Sequence, residues 1–194
     1  MADQLFLIRH GETEWALAGR HTGLTDIPLT EKGKAEAKLL GARLKSYDFE
    51  HILVSPLQRA LETCRLAGLA EQAQVDPDLC EWDYGTYEGR TSKEIQAQDP
   101  TWNVFTKGAP GGESVEAVCH RADRLLQKIE KTSGDVCLFS SAHFLRLLTT
   151  RWLKISPENG RLFILFPASF SLLGYERTNR VIVTWNDTAH LKGG

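Results

Sequence analysis

The stretch LFLIRHGE, residues 5–12, places four apolar residues directly before a cation, an imidazole and a glycine. A short apolar run bounded by polar residues predicts a strand covered on both faces, as in the parallel sheet of an α/β protein. In such sheets, ligands bind outside the carboxyl ends of the strands. Arg9 and His10 stand at such an end, and we therefore expect them to hold a ligand.

Further strands are predicted from similar patterns. Residues 51–54 and 135–140 are short apolar runs between polar turns. Residues 170–175 and 181–185 flank the polar turn 177–180, and this arrangement predicts a β-hairpin.

Helices are predicted between the strands. Apolar residues recur at helical spacing after Thr30 and again over residues 113–131. In the first of these helices the expected apolar face consists of Ala35, Leu39, Leu40 and Leu44. The order of elements predicts an α/β three-layer sandwich, with a mostly parallel central sheet and helices on both faces.

Composition limits the class of protein. The chain has 194 residues, of which 42% are hydrophobic and 25% charged, and no linker or repeat divides it, so we expect one domain over residues 1–194. A net charge of -2 argues against nucleic acid or acidic membranes as partners. The four scattered cysteines predict reduced thiols. Because we find neither a signal peptide nor an apolar run of about 18 residues, we expect a cytoplasmic protein.

The second strand leads into a helix that begins with SPLQR, residues 55–59. Ser55 and Gln58 have the spacing of a capping box, which places Arg59 on the first helical turn, directed to the same edge of the sheet. The third strand leads into SSAH, residues 140–143, and His143 also falls on a first helical turn. Three strand ends thus bring two arginines and two histidines to one edge.

Cations that converge without matching carboxylates repel one another unless an anion binds among them. Tetrahedral phosphate suits this pattern because arginine binds its oxygens in bidentate fashion. Flanking arginines would keep His10 neutral and nucleophilic, with its second nitrogen fixed by a backbone carbonyl near Gly11. We expect His143 to be a cation that helps to stabilise the phosphoryl oxygens.

Other phosphate chemistries lack their motifs here. The chain has no dinucleotide-binding GxGxxG, P-loop or nucleophile elbow, and no cysteine followed by five residues and an arginine. The DPD sequence at 76–78 is assigned to a loop because no apolar strand precedes it. The six histidines show no metal-ligand spacing, so we expect neither a metal nor a cofactor.

A proton donor for the leaving group is also needed. Glu81 is the candidate because it lies beside Trp82 and Tyr84, where a carboxyl group is partly desolvated. From this stretch alone, an ordinary solvated loop residue is an equally acceptable interpretation.

Five segments together resemble the histidine phosphatase superfamily, in its phosphoglycerate mutase-like or acid phosphatase-like branch. They are LIRHGET (7–13), SPLQRALET (55–63), EWDYGTYEG (81–89), PGGES (110–114) and NDTAHL (186–191). The resemblance spans nearly the whole chain. It implies that His10 is phosphorylated, that Arg9, Arg59 and His143 form the phosphate pocket, and that Glu81 donates the proton.

The resemblance also implies that Thr13, Thr22 and Gly23 lie in loops that touch the phosphate or the substrate. We further expect Trp82 and Tyr84 to contact the substrate.

Departures from the family pattern affect specificity. Ala16 stands where the family often has asparagine, and residues 143–145 read HFL instead of HGG or HGN. Residues 90–112 lack the basic insertion of the family's mutases. We therefore expect a phosphatase acting on a small phosphorylated metabolite; the alternatives are a phosphoglycerate mutase and a non-catalytic binding module. The apolar run at 162–166 could be either a strand or a homodimer face.

Overall fold

All six strands of the structure belong to one sheet. In the computed structural model, which describes residues 2–192, the strands are β1 (Ala2–Arg9), β2 (His51–Val54), β3 (Ala73–Val75), β4 (Gly134–Ser140), β5 (Phe170–Glu176) and β6 (Asn179–Asp187). Their order across the sheet is β3-β2-β4-β1-β5-β6. The first four strands run parallel, whereas β5 is antiparallel to β1, and β6 is antiparallel to β5.

Helices connect these strands. The α-helices are α1 (Glu14–Leu17), α2 (Glu31–Leu44), α3 (Gln58–Leu66), α4 (Ser92–Gln96), α5 (Val104–Lys107), α6 (Val115–Ile129) and α7 (Ala142–Leu153). Short 3₁₀ helices cover Ala70–Gln72, Pro77–Leu79, Gly85–Tyr87, Pro157–Leu162 and Ala189–Leu191. No helix within residues 2–192 is both long and apolar enough to cross a membrane.

The two faces of the sheet are covered by different helices. Leu5 and Leu7 of β1 belong to a buried cluster that contains residues of α6 and α7. Phe6 and Ile8 point the other way, into a cluster with residues of α2 and α3. Because successive side chains of a strand face opposite sides, an uninterrupted apolar run is the pattern that a doubly covered strand requires. The predicted three-layer α/β sandwich is confirmed.

Several predicted details need correction. A short strand, β3, does precede Asp76, and it is missed because only one of its three residues is partly buried. The run at 162–166 is not a strand: Leu162 is the last residue of a 3₁₀ helix, and the irregular segment after it leaves Ile164 and Phe166 exposed, as Leu162 is. Whether these side chains form a homodimer face stays a prediction.

The capping box of α3 is also absent. Leu57 is the N-cap residue and makes no side-chain cap, while the Ser55 hydroxyl lies 3.5 Å from the Leu57 amide. The carboxylate of Asp26 accepts the Gln58 amide at 2.8 Å instead. A charged acceptor from a neighbouring loop thus replaces the local cap, because hydrogen bonds to ionised groups are the stronger ones.

The buried face of α2 differs from the predicted one. Ala35 and Leu39 are exposed, and the buried residues are Gly33, Ala37, Leu40, Gly41 and Leu44. Gly33 packs against the loop after β1, where a Cβ atom would come within 2.2 Å of the Glu12 carbonyl oxygen. A Cβ atom on Gly11 would lie 2.5 Å from the Gly33 carbonyl oxygen. Two glycines therefore let the backbone of α2 touch the loop that carries His10.

We predict that Gly33→Ala destabilises the protein by about 3 kcal/mol, because the added methyl group meets backbone atoms that cannot rotate away. Helix propensity alone predicts the opposite, a gain of about 1 kcal/mol. Urea unfolding measures the difference. As a control, Ala35→Gly at an exposed position of the same helix should cost only about 1 kcal/mol. An unchanged or higher stability of Gly33→Ala would contradict the close contact.

Candidate active site

His10 is held in one orientation by its own loop. Its amide donates to the Ser140 carbonyl at 3.0 Å, and its carbonyl accepts the Ala168 amide at 3.0 Å. The ring nitrogen Nδ1 lies 2.7 Å from the Gly11 carbonyl oxygen. Because a carbonyl only accepts, Nδ1 carries the hydrogen and Nε2 keeps its lone pair. This backbone contact agrees with the expectation from the sequence.

The surroundings keep the His10 imidazole neutral. Burial, and then the positive charges of Arg59 and Arg9, hold the pKa of His10 well below its usual range. Burial also lowers the pKa of Arg9 to about 10, so that this guanidinium is still protonated at neutral pH. Arg9 donates through Nη1 to the Leu165 carbonyl, while its Nε is buried without a hydrogen-bond partner among the described residues.

Arg59 is fully buried and fastens a loop. Its Nη atoms donate to the carbonyls of Thr22, Gly23 and Thr25, at 3.1, 2.8 and 3.1 Å. Its Nε lies 3.4 Å from the Ser141 hydroxyl. Arg59 therefore combines two tasks: it holds the loop 22–25 in place and brings a positive charge close to His10.

A small cavity of about 70 Å³ opens in front of His10. It is lined by Arg9, His10, Ala16, Arg20, His21, Thr22, Glu81, Tyr84, Ala142 and His143. Six of the residues predicted for the site therefore face one space, namely Arg9, His10, Thr22, Glu81, Tyr84 and His143.

Four other predicted site residues do not line this cavity. They are Arg59, Thr13, Gly23 and Trp82. Thr13 is fully buried and caps α1 through the Ala16 amide, and the Gly23 amide donates to the Glu88 carboxylate at 2.8 Å. Trp82 is fully buried, with its indole N–H on the Glu113 carbonyl at 2.9 Å. The structure thus places Trp82 in the core and does not bring it to the expected substrate wall.

Glu81 binds the first turn of α7. One carboxylate oxygen accepts the amides of Trp82 and Phe144 at 2.9 and 2.7 Å, and the other accepts the His143 amide at 2.9 Å. Negative charge is favoured at a helix N-terminus, where the amides have no partner inside the helix. Glu81 is buried, which excludes the alternative of a solvated loop residue.

His143 is neutral, which corrects the expected imidazolium. Burial, and then the positive charges of Arg146 and Arg9, hold the pKa of His143 well below its usual range. Its Nδ1 is hydrogen-bonded to the Tyr84 hydroxyl. The expectation failed because the sequence does not show that an arginine and a second histidine flank this ring.

Ser141 is the residue from the end of β4 that lies beside Arg59. Arg9 and Ser140 are partners in the pairing of β1 with β4, so His10 and Ser141 are the residues that follow at the same level of the sheet. His143 is the second residue of α7, two residues after Ser141, and it lines the cavity. The hydroxyl of Ser141 is thus the polar group that the end of β4 offers to Arg59.

A buried arginine supports the segment that carries Glu81. Arg121 donates to the carbonyls of Asp78, Cys80 and Glu81, at 2.9, 2.6 and 3.3 Å. It also forms two hydrogen bonds with the Glu113 carboxylate, at 3.0 and 2.7 Å. Glu113 in turn accepts the Asp83 amide at 3.0 Å. One ion pair therefore fixes the backbone on both sides of Glu81.

Several residues of the site were missed by the sequence interpretation. They are Arg20, His21, Ala142 and Ser141. Arg20 and His21 directly precede Thr22, and their position in the same loop is the one signal that could have revealed them. Within residues 2–192, no three His, Cys, Asp or Glu side chains are grouped so that they could hold a metal ion.

The family model of the histidine phosphatase superfamily (branch 1) matches residues 5–188. The chain belongs to this superfamily. Similar proteins of the superfamily include an acid phosphatase from Mycobacterium tuberculosis, 40% identical over 191 residues that cover 96% of this chain and 94% of that protein. A 2,3-bisphosphoglycerate-dependent phosphoglycerate mutase from Cytophaga hutchinsonii is 33% identical over 169 residues, which cover 80% of this chain and 79% of the mutase.

Solved structures of the histidine phosphatase fold resemble this chain closely. The structure of an open reading frame product from Mycobacterium tuberculosis has a TM-score of 0.89 and 38% sequence identity, and the match covers 95% of this chain and 97% of that one. This likeness confirms the predicted phosphoglycerate mutase-like fold. The 40% identity to the protein named acid phosphatase supports the predicted phosphatase enzyme.

For this histidine phosphatase we predict that Arg121→Met lowers the free energy of unfolding by about 3 kcal/mol, because it leaves a carboxylate and several carbonyls without their donor. Urea unfolding measures the loss. The matched control is Arg124→Met, which breaks the more exposed pair with Asp78 and should cost less than about 1 kcal/mol. In the double variant Arg121→Met/Glu113→Gln part of the loss should be recovered. Equal effects of the two single variants would contradict the role of the Arg121 ion pair.

We also predict a loss of stability in mild acid that originates at His21. Burial lowers the pKa of His21 from 6.5 to about 4. Between these pH values the unfolded chain binds a proton at His21 that the folded chain does not. The contribution of His21 to the free energy of unfolding is therefore fully present above pH 6.5 and is lost as the pH falls towards 4. The loss amounts to about 3 kcal/mol at the acid end.

The measurement is the free energy of unfolding of wild type and His21→Gln between pH 7 and pH 4. The variant should have the flatter profile, and the exposed His120→Gln should follow the wild type. A profile of His21→Gln as steep as that of the wild type would contradict this assignment.

Proposed function

We propose that this protein is a metal-independent phosphatase that hydrolyses small-molecule phosphate monoesters through a phosphohistidine at His10. One observation carries the proposal: a neutral imidazole has its Nδ1–H bound by the Gly11 carbonyl, so that Nε2 keeps a lone pair in a cavity flanked by cations. An imidazole in this state is a nucleophile, and the positive charges would attract the phosphate.

In the first step, Nε2 of His10 attacks phosphorus, and the bond between phosphorus and the ester oxygen breaks. Arg9 and Arg59 would stabilise the negative charge on the phosphoryl oxygens, Arg9 from the cavity wall and Arg59 from behind it. Glu81, which lines the same cavity, would give its proton to the leaving alkoxide. The products are a phosphohistidine, a free alcohol and a Glu81 carboxylate.

In the second step, water attacks the phosphohistidine. The Glu81 carboxylate accepts a proton from this water, the bond between Nε2 and phosphorus breaks, and inorganic phosphate leaves. Three backbone amides hold the Glu81 carboxyl group in one position, so the same group can serve as acid and then as base. We place the reaction in the cytoplasm, which the four free cysteines support.

Sequence similarity and the site favour a phosphatase over the alternatives. The relative named acid phosphatase is 40% identical, and that named phosphoglycerate mutase is 33% identical. A mutase remains the second candidate because of the latter similarity. A non-catalytic binding module would have no need for the buried Glu81 and the oriented His10 in one cavity.

We predict that His10→Ala abolishes release of phosphate from a chromogenic phosphomonoester, because the substrate then has no nucleophile to attack it. The matched control is His120→Ala, since His120 is an exposed histidine on α6. Intact-mass spectrometry after rapid mixing should detect a phosphorylated wild-type chain and an unphosphorylated His10→Ala chain. Equal turnover by wild type and His10→Ala would refute the nucleophile.

Phosphatase and mutase activities are distinguished by comparing the rate of phosphate release with the rate of isomerisation. With 3-phosphoglycerate and a bisphosphoglycerate primer, we expect phosphate release to be faster than isomerisation. Faster isomerisation would make the protein a mutase that uses the same histidine.

A further inference from the structure

A second cavity adjoins the one in front of His10. Its volume is about 180 Å³, and Trp102, Asn103, Phe105 and Arg146 are among the residues that line it. It shares two wall residues, His21 and His143, with the first cavity, and the centroids of these two rings lie 5.6 Å apart. Ser92 and Gln96 also line it and are exposed, so the second cavity can be reached from solvent.

Arg146 is the charged residue of this second cavity. It lies on α7, one turn after the cap formed by Glu81. Its Nε donates to the Gly160 carbonyl at 2.9 Å, and its guanidinium lies over the Phe105 ring at 4.7 Å. These two contacts use one N–H group and one face of the guanidinium, and the side chain lines the cavity with both Nη atoms free of hydrogen bonds.

Arg146 forms no ion pair, and the carboxylate that acts on its charge is Glu81, which is already bound by three backbone amides. Among residues 2–192, Arg146 makes no salt bridge, and its one hydrogen bond is that from Nε, so that its two Nη atoms make none. None of the residues that line the cavity is acidic. A partly buried guanidinium with two free nitrogens is arranged to bind an anion through a pair of hydrogen bonds.

The rest of the lining supplies donors and aromatic walls. The side-chain oxygen of Asn103 accepts the Phe105 amide at 3.0 Å, so its NH₂ group remains the part that can donate. Trp102 and Phe105 form apolar walls, and both are buried. A compact anionic group therefore meets a cation and a neutral donor within one small space.

We propose that Arg146 determines specificity by binding a second anionic group, a carboxylate or a phosphate, on the alcohol part of the substrate. This inference rests on the proposed function, because that function places the reacting phosphate at His10. The shared wall of His21 and His143 means that such a substrate would have its two anions in adjoining cavities. The substrate class is thus the phosphate monoesters whose alcohol carries a further negative charge.

Binding to the His10→Ala variant tests the proposal without turnover. Calorimetry compares phosphoserine with phosphoethanolamine, which differ only by a carboxylate, and fructose 1,6-bisphosphate with fructose 6-phosphate, which differ by one phosphate. In at least one pair the ligand with the extra anion should bind about tenfold more tightly, as expected for one charge-assisted contact. The pair that shows the preference identifies the anion.

Further variants, made on the His10→Ala background, assign that preference to Arg146. Arg146→Met should abolish it, Arg146→Lys should retain most of it because the positive charge remains, and the exposed Arg161→Met should not change the ratio. The ratio of two affinities is the readout because a general loss of structure would weaken both ligands alike.

Equal binding within both pairs would overturn the proposal, as would a preference that survives Arg146→Met. These outcomes are independent of the phosphatase assay. If the chromogenic substrate is not hydrolysed but the preference is present and depends on Arg146, the proposed function fails and the anion subsite stands. If hydrolysis is normal and the preference is absent, the reverse holds.

Discussion

The parallel pairing of β1 with β4 is the constraint on which the site depends. Arg9 lies beside Ser140 in this pairing, so the chain leaves both strands at the same level. His10 emerges from one strand and α7 begins directly after the other. Because amides at the start of a helix point away from it, Glu81 can bind there and face the same cavity as His10. A slip of one residue would reverse the face to which every side chain of the strand points.

Two buried arginines, Arg59 and Arg121, fix the loop segments at this edge of the sheet. Arg59 binds three carbonyls of the loop 22–25, and Arg121 binds three carbonyls of the segment 78–81. Burying a guanidinium is costly unless its donors are paired, and a loop carbonyl loses water on burial in the same way. In each case the hydrogen bonds pair the buried guanidinium donors and the buried loop carbonyls with one another. Arg59 therefore shapes the pocket while its charge acts on His10, and Arg121, which is paired with Glu113, holds the segment that carries Glu81.

The elements of the site that follow from local sequence could be predicted. The orientation of the His10 ring depends on its neighbour Gly11. The burial of β1 on both faces follows from its consecutive apolar residues. Predictions failed where the deciding partner is distant in the chain. The carboxylate of Asp26 replaces the cap expected from Ser55, and the ring of His143 meets Tyr84 and His21. The burial of Gly33 depends on the approach of α2 to Glu12, which no periodicity reveals.

Glu81 has two roles that compete during the proposed reaction: it accepts hydrogen bonds from α7, and it would transfer a proton. Its carboxylate accepts the first amides of α7, and in the reaction it would also carry a proton for part of each cycle. A protonated carboxyl group is a weaker acceptor than an ionised one, so the amides of His143 and Phe144 are held less firmly in that state. The first turn of α7 would thus be held less tightly while Glu81 carries the proton. Amide hydrogen exchange at His143 and Phe144 would then be faster in the state in which Glu81 is protonated.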